Sequence, residues 1–216
     1  DRRECLKSAG FLGLASLSTG LPAQSQTGDK EASTDNASAK PPSQVEVGSV
    51  VLENAEMRLV ISSSGSAQSL IHKPTGQECL VTGTDVPMFN VTQYRPYDNE
   101  LQLAFPAKIT HFPADRVRRE GDRLIVDFAL CGFEALISLK ITNDYIAFRL
   151  DDLASKGHTY PNHIDEATRY DHIDEAIFLQ LPIRPRTNFG EWLNVMWDEK
   201  VAVNVLATDY RTRIDA

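Results

Sequence analysis

Apolar and polar residues alternate along most of the chain from Val45 onward, as in strands with one buried and one exposed face. In the sequence MRLVI, for example, Met57, Leu59 and Ile61 fall on a single face. The same spacing predicts apolar faces made of Leu124, Val126, Phe128 and Leu130, of Ala135, Ile137, Leu139 and Ile141, and of Ile146, Phe148 and Leu150. No long segment with a helical period competes with this alternation.

Short segments of small or polar residues separate the alternating runs, as turns separate strands. They are SSSGS at 62–66, KPTGQ at 73–77, EGD at 120–122, TND at 142–144 and WDEK at 197–200. The strands predicted are 48–53, 56–62, 66–72, 78–81, 88–94, 107–112, 115–119, 123–130, 133–141, 144–151, 176–182, 191–197 and 200–207. This number of short strands at this spacing predicts an all-β fold, an antiparallel β-sandwich.

Charge and length exclude some classes of protein. The 216 residues include 22 Lys and Arg against 30 Asp and Glu, and no basic stripe is present, which argues against nucleic-acid binding. No run of 18 apolar residues occurs, so no membrane span is expected. The chain begins with Asp and stops at ATDYRTRIDA without a closing element. We therefore expect a piece of a longer protein, with a sandwich that is incomplete at its C-terminus.

The first 23 residues have the three-part layout of an export signal. Arg2 and Arg3 precede a mildly apolar stretch over 9–21, and Leu-Pro-Ala follows as a small-residue cleavage site. The paired arginines resemble the twin-arginine type of signal, with Cys5 where Phe is usual. The alternative is an amphipathic first helix of the fold. If the signal is real, the protein is exported, to the periplasm or outside a bacterial cell.

Residues 24–45 are predicted to be a disordered linker, and 46–216 the sandwich domain. The segment 24–44 contains no Val, Ile, Leu, Met or aromatic residue, so it cannot bury enough surface to offset its ordering entropy. In an exported protein Cys79 and Cys131 could form a disulfide. The position of Cys131 after an apolar run also suits a buried thiol.

Segment 52–80 resembles the opening of the galactose-mutarotase-like β-supersandwich, which precedes the catalytic barrel in many bacterial glycoside hydrolases. The match rests on hairpin residues Gly65, Ser69, Leu70, Lys73, Thr75, Gly76 and Glu78. His72 stands where that group usually has Asp, and segment 191–209 resembles later strands of such domains. The resemblance covers about residues 46–209.

This resemblance implies an accessory module that is not catalytic alone. It would pack on a following catalytic barrel and form one wall of a cleft for an oligo- or polysaccharide. Two alternatives stay open. One is a stand-alone mutarotase-like epimerase, which needs a His general acid and a carboxylate base, with His111, His163 and His172 available. The other is a structural or adhesive secreted sandwich without catalysis.

Two segments carry side chains suited to sugar, namely aromatic faces and planar polar groups. The candidate contacts are Tyr94, Arg95, Tyr97, Asp98 and Asn99 in TQYRPYDNE, and Trp192 and Asn194 in EWLNVMW. The first set also suits an ordinary wet loop. We expect Trp192, Asn194 and Met196 to share one strand face, which suits either a sugar platform or, preferably, an interface with the next domain.

The pentapeptide HIDEA occurs twice, at 163–167 and 172–176. His163, Asp165, His172 and Asp174 are candidate metal ligands, because a metal site needs such donors converging from several directions. The second copy runs directly into the apolar stretch AIFLQLPI, and the first follows loop residues. We interpret the repeat as a solvated acidic loop, so no cofactor is expected. The second interpretation of the repeat is calcium binding or a role in a cleft, and the third is transition-metal binding or acid–base catalysis.

Overall fold

A computed structural model describes residues 9–16, 48–95, 108–156, 173–190 and 194–214. All of the described elements are β-strands, which confirms the all-β prediction, and none of the described residues lies in a helix able to cross a membrane. The strands are β1 Ala9–Ser16, β2 Val50–Glu53, β3 Met57–Ile61, β4 Ala67–His72, β5 Gln77–Glu78, β6 Phe89–Arg95, β7 Lys108–Pro113, β8 Arg116–Glu120, β9 Arg123–Phe128, β10 Phe133–Ile141, β11 Tyr145–Ser155, β12 Glu175–Phe178, β13 Asn188–Gly190, β14 Val195–Trp197 and β15 Val201–Ala207.

The strands form three antiparallel sheets. An eight-stranded sheet has the order β13-β14-β15-β1-β11-β10-β9-β8, a three-stranded sheet the order β12-β6-β7, and a four-stranded sheet the order β2-β3-β4-β5. Consecutive hairpins β2 to β5 and β8 to β11 follow the turns expected from sequence. The sandwich-like arrangement therefore arises largely from local pairing, and the long-range pairings are those of β1 with β11 and β15 and of β12 with β6.

A single core joins the three sheets. Leu59 of the four-stranded sheet, Phe89 of the three-stranded sheet, and Phe148 and Val203 of the eight-stranded sheet are each at most 2 % exposed and belong to one buried cluster. Burying a side chain of this size stabilises the fold by about 1.5–3 kcal/mol. The core thus holds the sheets against one another although few backbone bonds cross between them.

The predicted apolar faces are buried with two exceptions. Met57, Leu59 and Ile61 are fully buried, and so are the corresponding sets in β9 to β11 apart from Leu130 and the partly buried Ile141. Leu130 is 61 % exposed because β9 ends at Phe128 and the chain then turns. The prediction that Leu130 continues the buried face is therefore wrong.

Gly65 shows why the turn between β3 and β4 needs glycine. Its φ is +86°, a region that other L-residues seldom adopt. A Cβ atom here would lie 2.9 Å from the Ala114 Cβ and 3.1 Å from a Val117 methyl group. The turn is closed by Ser62, whose Oγ accepts the Ser66 amide at 2.8 Å. Close approach of this turn to the β7–β8 segment joins two of the sheets.

Several predicted strands have different bounds in the structure, and two strands, β1 and β13, were not predicted. The strand predicted at 176–182 ends at Phe178, because Leu179 has a φ of +64°. Of the strand predicted at 191–197, residues 191–193 lie outside the described part of the chain, and β14 begins at Val195, after Asn194 with its φ of +46°. β13 lies in a stretch with no long alternation, and its pairing with β14 defines it.

β1 occupies the apolar segment assigned above to an export signal. Its backbone pairs with β11 on one side and β15 on the other. The amphipathic first helix considered as an alternative is not formed in residues 9–16, which are extended. The signal and linker assignments otherwise fall on residues 1–8 and 17–47, outside the described part of the chain.

Candidate binding cleft

A cleft of about 760 Å³ separates the three-stranded sheet from the end of the eight-stranded sheet. One wall is the consecutive run 174–183, which contains β12. The other wall is formed by Asn194, by Met196 of β14, by residues 205–207 at the end of β15 and by residues 211–214 after it. Its volume is in the range that holds small organic ligands. We refer to this set of residues as the cleft.

Polar side chains line the cleft together with apolar ones. The polar set is Asp174, Glu175, Gln180, Asn194, Arg211, Thr212 and Arg213, and the apolar set includes Phe178, Leu181, Met196, Val205 and Ile214. Carboxylate, amide, guanidinium and hydroxyl groups are thus presented around apolar surface. Such a mixture suits a ligand that has both hydroxyl groups and C–H faces.

Several of the polar groups are held in place by their neighbours. Gln180 accepts a hydrogen bond from the Asn90 amide at 3.2 Å, which ties it to β6. Asp209 accepts the Arg211 backbone amide at 2.9 Å, and its carboxylate lies 3.4 Å from the Arg211 Nε. The Arg211 guanidinium also lies 5.2 Å from the centre of the Tyr210 ring. The segment after β15 is therefore an ordered turn that supports one wall.

Backbone strain coincides with the cleft. Within the described ranges, Leu179 and Asn194 are the two residues other than glycine with positive φ, and both line the cleft. Asn tolerates this conformation well, whereas Leu does so at a cost of roughly 1–2 kcal/mol. Asn194 is further held by Val205, whose amide donates to the Asn194 carbonyl at 3.4 Å. Strained residues often cluster at functional sites, which adds to the case for this cleft.

Two sequence candidates from different predicted sites meet in the cleft. Asn194 was a candidate for sugar contact, and Asp174, which is exposed, a candidate for metal binding. Met196 also lines the cleft, although the left-handed backbone of Asn194 means that the two are not on one continuous strand face. The wall residues Gln180, Arg211 and Arg213 were not singled out from sequence, since isolated polar residues carry no recognisable spacing.

Of the other candidates, Tyr94 and Arg95 are described by their backbone alone, and the rest fall outside the described residues. Tyr94 and Arg95 end β6, where their backbone pairs with β7, at the far end of that strand from Phe89. The remaining candidates of that loop, Tyr97, Asp98 and Asn99, fall outside the described residues, as do Trp192, His163, Asp165, His172, Arg2 and Arg3. Among the described residues, no group of three or more metal-binding side chains occurs.

An ion pair with a buried arginine side chain joins the segment before β13 to the β14–β15 turn. The Arg186 side chain is 2 % exposed, and its guanidinium forms a salt bridge with Asp198, whose side chain is 25 % exposed. The same guanidinium donates to the Cys79 Sγ at 3.3 Å. Arg186 thus connects the four-stranded sheet with the β14–β15 turn. The pKa of Asp198 is lowered, first by the backbone amide of Lys200 and then by that of Val201, with Arg186 adding to the effect.

Cys79 and Cys131 are both buried free thiols, so the disulfide considered from sequence is not formed. Burial raises the pKa of the Cys79 thiol, although the neighbouring Arg186 acts in the opposite direction. A thiol that is buried and neutral is a poor nucleophile. The Cys79 side chain therefore serves packing and hydrogen bonding here.

His72 of the 65–78 hairpin is fully buried. Its Nδ1 shares a 2.8 Å hydrogen bond with the Thr75 hydroxyl, and its Nε2 lies 3.7 Å from a Glu56 carboxylate oxygen. Burial lowers the pKa of His72, while Glu56 raises it in part and Arg186 lowers it further. The imidazole is therefore held in its neutral form in the core of a hairpin.

The remaining residues of the signature also build this hairpin. Glu78 accepts hydrogen bonds from the Ser69 hydroxyl at 2.5 Å and the Leu70 amide at 2.8 Å. Lys73 forms a 2.7 Å ion pair with Glu53 on the neighbouring strand. These residues satisfy one another, so the signature describes local structure and contains no part of the cleft.

Comparison with protein-family models and with curated proteins finds no match for this chain.

Proposed function

We propose that this chain is the non-catalytic N-terminal β-sandwich module of an exported carbohydrate-active enzyme, a glycoside hydrolase. In this proposal the module packs on a following catalytic barrel and contributes carbohydrate contacts through its cleft. The resemblance of residues 52–80 and 191–209 to the galactose-mutarotase-like supersandwich supplies the class. The observation that carries the proposal is the cleft itself, with Asn194 placed in its wall.

The chemistry of the cleft supports a carbohydrate ligand. A sugar ring offers hydroxyl groups, which are bound by amides, carboxylates and guanidinium groups, and C–H faces, which pack on apolar side chains. The cleft contains both kinds of surface, and its volume would hold one or two sugar residues. Arg213 and Glu175, both exposed, place a positive and a negative charge in the cleft walls. Because these two charges offset each other, a ligand without charge of its own suits the cleft.

The first test is glycan binding by the purified chain, first on a glycan array and then by calorimetry. The Asn194→Gly variant keeps a residue that adopts positive φ freely while it removes the amide side chain. We expect this variant to bind the glycan about tenfold more weakly, as for the loss of one buried polar contact of about 1.4 kcal/mol. The matched control is Asn188→Gly on β13, outside the cleft, which should bind as the parent does.

Three results would count against carbohydrate contact at this site. They are the absence of any glycan binding at millimolar concentration, equal binding by both glycine variants, and loss of binding in Asn188→Gly alone. The position in a larger enzyme has its own test, which is the reading frame after the codon for Ala216. A frame that continues with alternating strands and helices supports the catalytic barrel.

Export is tested by sequencing the N-terminus of the protein recovered from the periplasm or medium of bacterial cells. The proposal expects a mature protein that begins at Gln24. It also expects the Arg2→Lys, Arg3→Lys double variant to stay in the cytoplasm unprocessed. Recovery of an intact N-terminus outside the cytoplasm would contradict the cleavage.

A further inference from the structure

β1 lies inside the eight-stranded sheet with a strand on each side. Residues 9–13 pair in register with β11, and residues 10–16 pair in register with β15. Without β1 the sheet would separate into β13-β14-β15 and β11-β10-β9-β8. Each separated part would then have an unpaired strand edge, which is a template for binding another strand. We refer to the space between β11 and β15 as the strand slot.

The slot has one apolar side. Ile146 and Phe148 of β11 and Val201 and Val203 of β15 are all buried. The backbone register pairs Leu12 with Ile146 of β11 and Leu14 with Val203 of β15. The slot therefore fits an extended segment with apolar residues at alternate positions, in one register, since a shift by one residue would reverse its faces.

β1 is joined to the rest of the fold by an unusually long connection. Residues 17–49 link it to β2, whereas neighbouring elements are usually connected by about two to six residues. The part 24–44 of this connection has no Val, Ile, Leu, Met or aromatic residue. Backbone pairing with β11 and β15 is what the described residues show holding β1 in place, as for a tethered peptide.

We propose that the strand slot is a peptide-binding site and that residues 9–16 are its exchangeable occupant. The site recognises an extended segment through main-chain hydrogen bonds on both of its edges, with alternate apolar residues on the core side. One consequence rests on the proposed export signal, because residues 9–16 belong to its apolar part. A docked β1 withholds that part from the export apparatus, and removal of residues 1–23 opens the slot.

The test uses the full chain with a protease site inserted within 24–44. After cleavage we expect the N-terminal fragment to co-elute with the remainder. An excess of a labelled synthetic peptide of residues 9–16 should then replace it with one-to-one stoichiometry. The matched control peptide carries Leu12→Asp and Leu14→Asp, and we expect it to bind at least tenfold more weakly.

Hydrogen exchange supplies an independent readout with an internal control. The Val205 amide donates to the Asn194 carbonyl of the β14 side, and hydrogen bonds of a strand alternate between its two neighbours. The amides of Ala202, Asn204 and Leu206 therefore point to β1. They should be protected while the slot is filled and should exchange faster when the fragment is removed, whereas Val205 should keep its protection.

Loss of the fragment on cleavage, whether or not the remainder stays soluble, would overturn the proposal. A fragment that cannot be replaced by excess peptide up to the unfolding transition would also overturn it, because β1 would then be a fixed strand. Equal binding of the control peptide would show general stickiness and have the same effect. These results do not depend on export, which N-terminal sequencing tests separately.

Discussion

The buried ion pair of Arg186 and Asp198 should respond very differently to the loss of each partner. The Arg186 side chain is 2 % exposed and the Asp198 side chain 25 % exposed. The Asp198→Asn substitution leaves the guanidinium buried without a counter-charge, for which breaking a buried pair typically costs about 3–5 kcal/mol. We expect about 3 kcal/mol, because Cys79 still accepts one hydrogen bond from Arg186.

The converse substitution, Arg186→Met, should cost less. It leaves a carboxylate that reaches solvent and still accepts the backbone amides of Lys200 and Val201, at 2.8 Å and 2.9 Å. We expect about 1 kcal/mol, which is the net value of an ordinary hydrogen bond. The Arg186→Met, Asp198→Asn double variant should resemble Arg186→Met, because neither an orphaned cation nor an orphaned anion then remains.

The assay is urea unfolding of all four proteins at pH 7, followed by far-UV circular dichroism and tryptophan fluorescence. Stabilities of about 5–15 kcal/mol leave room for a loss of about 3 kcal/mol to be measured. A double-mutant cycle then gives the coupling between the two side chains. If Arg186→Met destabilises the protein as much as Asp198→Asn, or if the two effects add, the argument from unequal burial is refuted.

Two further predictions follow from the hairpin between β3 and β5. Because burial lowers the pKa of His72, the folded chain binds fewer protons there than the unfolded chain, whose pKa is about 6.5. The contribution of His72 to stability is complete above about pH 6.5 and is lost as the pH falls toward its lowered folded-state pKa. Between about pH 7.5 and 5, the urea midpoint should therefore fall less in His72→Gln than in the parent. Equal slopes of the two midpoints against pH would contradict this. The Gly65→Ala substitution should lower the free energy of unfolding by about 2–4 kcal/mol, because φ is positive and the new Cβ would lie 2.9 Å from a neighbouring side-chain carbon. The Gly76→Ala substitution, at a positive φ but in open space, should lower it by about 1 kcal/mol in the same assay. Similar losses at the two glycines would show that the close contact at Gly65 relaxes without cost.

The sequence predicted the strands best where local pattern and turn chemistry agree. β3, β4 and β9 to β11 lie where the alternation placed them, and Gly65 and Gly76 adopt the positive φ that their turns require. Predictions failed where a single residue ends a strand. Neither the break at Leu179 nor the exposed turn at Leu130 follows from alternation, because both continue an apolar pattern.

The residues of the cleft were likewise predicted only in part. Asn194 and Asp174 were identified from sequence, but the cleft residues Gln180, Arg211 and Arg213 were not. The wall 174–183 and the turn 211–214 are separated by the whole of β13 to β15. Their approach depends on how two sheets pack, and no spacing along the chain encodes it. The HIDEA repeat is visible in the sequence, and Asp174, Glu175 and Ala176 of its second copy line the cleft, whereas the first copy lies outside the described residues.

The sequence by itself determined the class of the fold, the order of its hairpins and the faces that are buried, because these depend on residues a few positions apart. Tertiary structure alone decided that Arg186 joins Cys79 to Asp198, that Leu179 and Asn194 line one cleft, and that residues 9–16 pair between β11 and β15. These are contacts between distant segments. They are set by the packing of a shared core and by the pairing of strand edges, which act only once the sheets have formed.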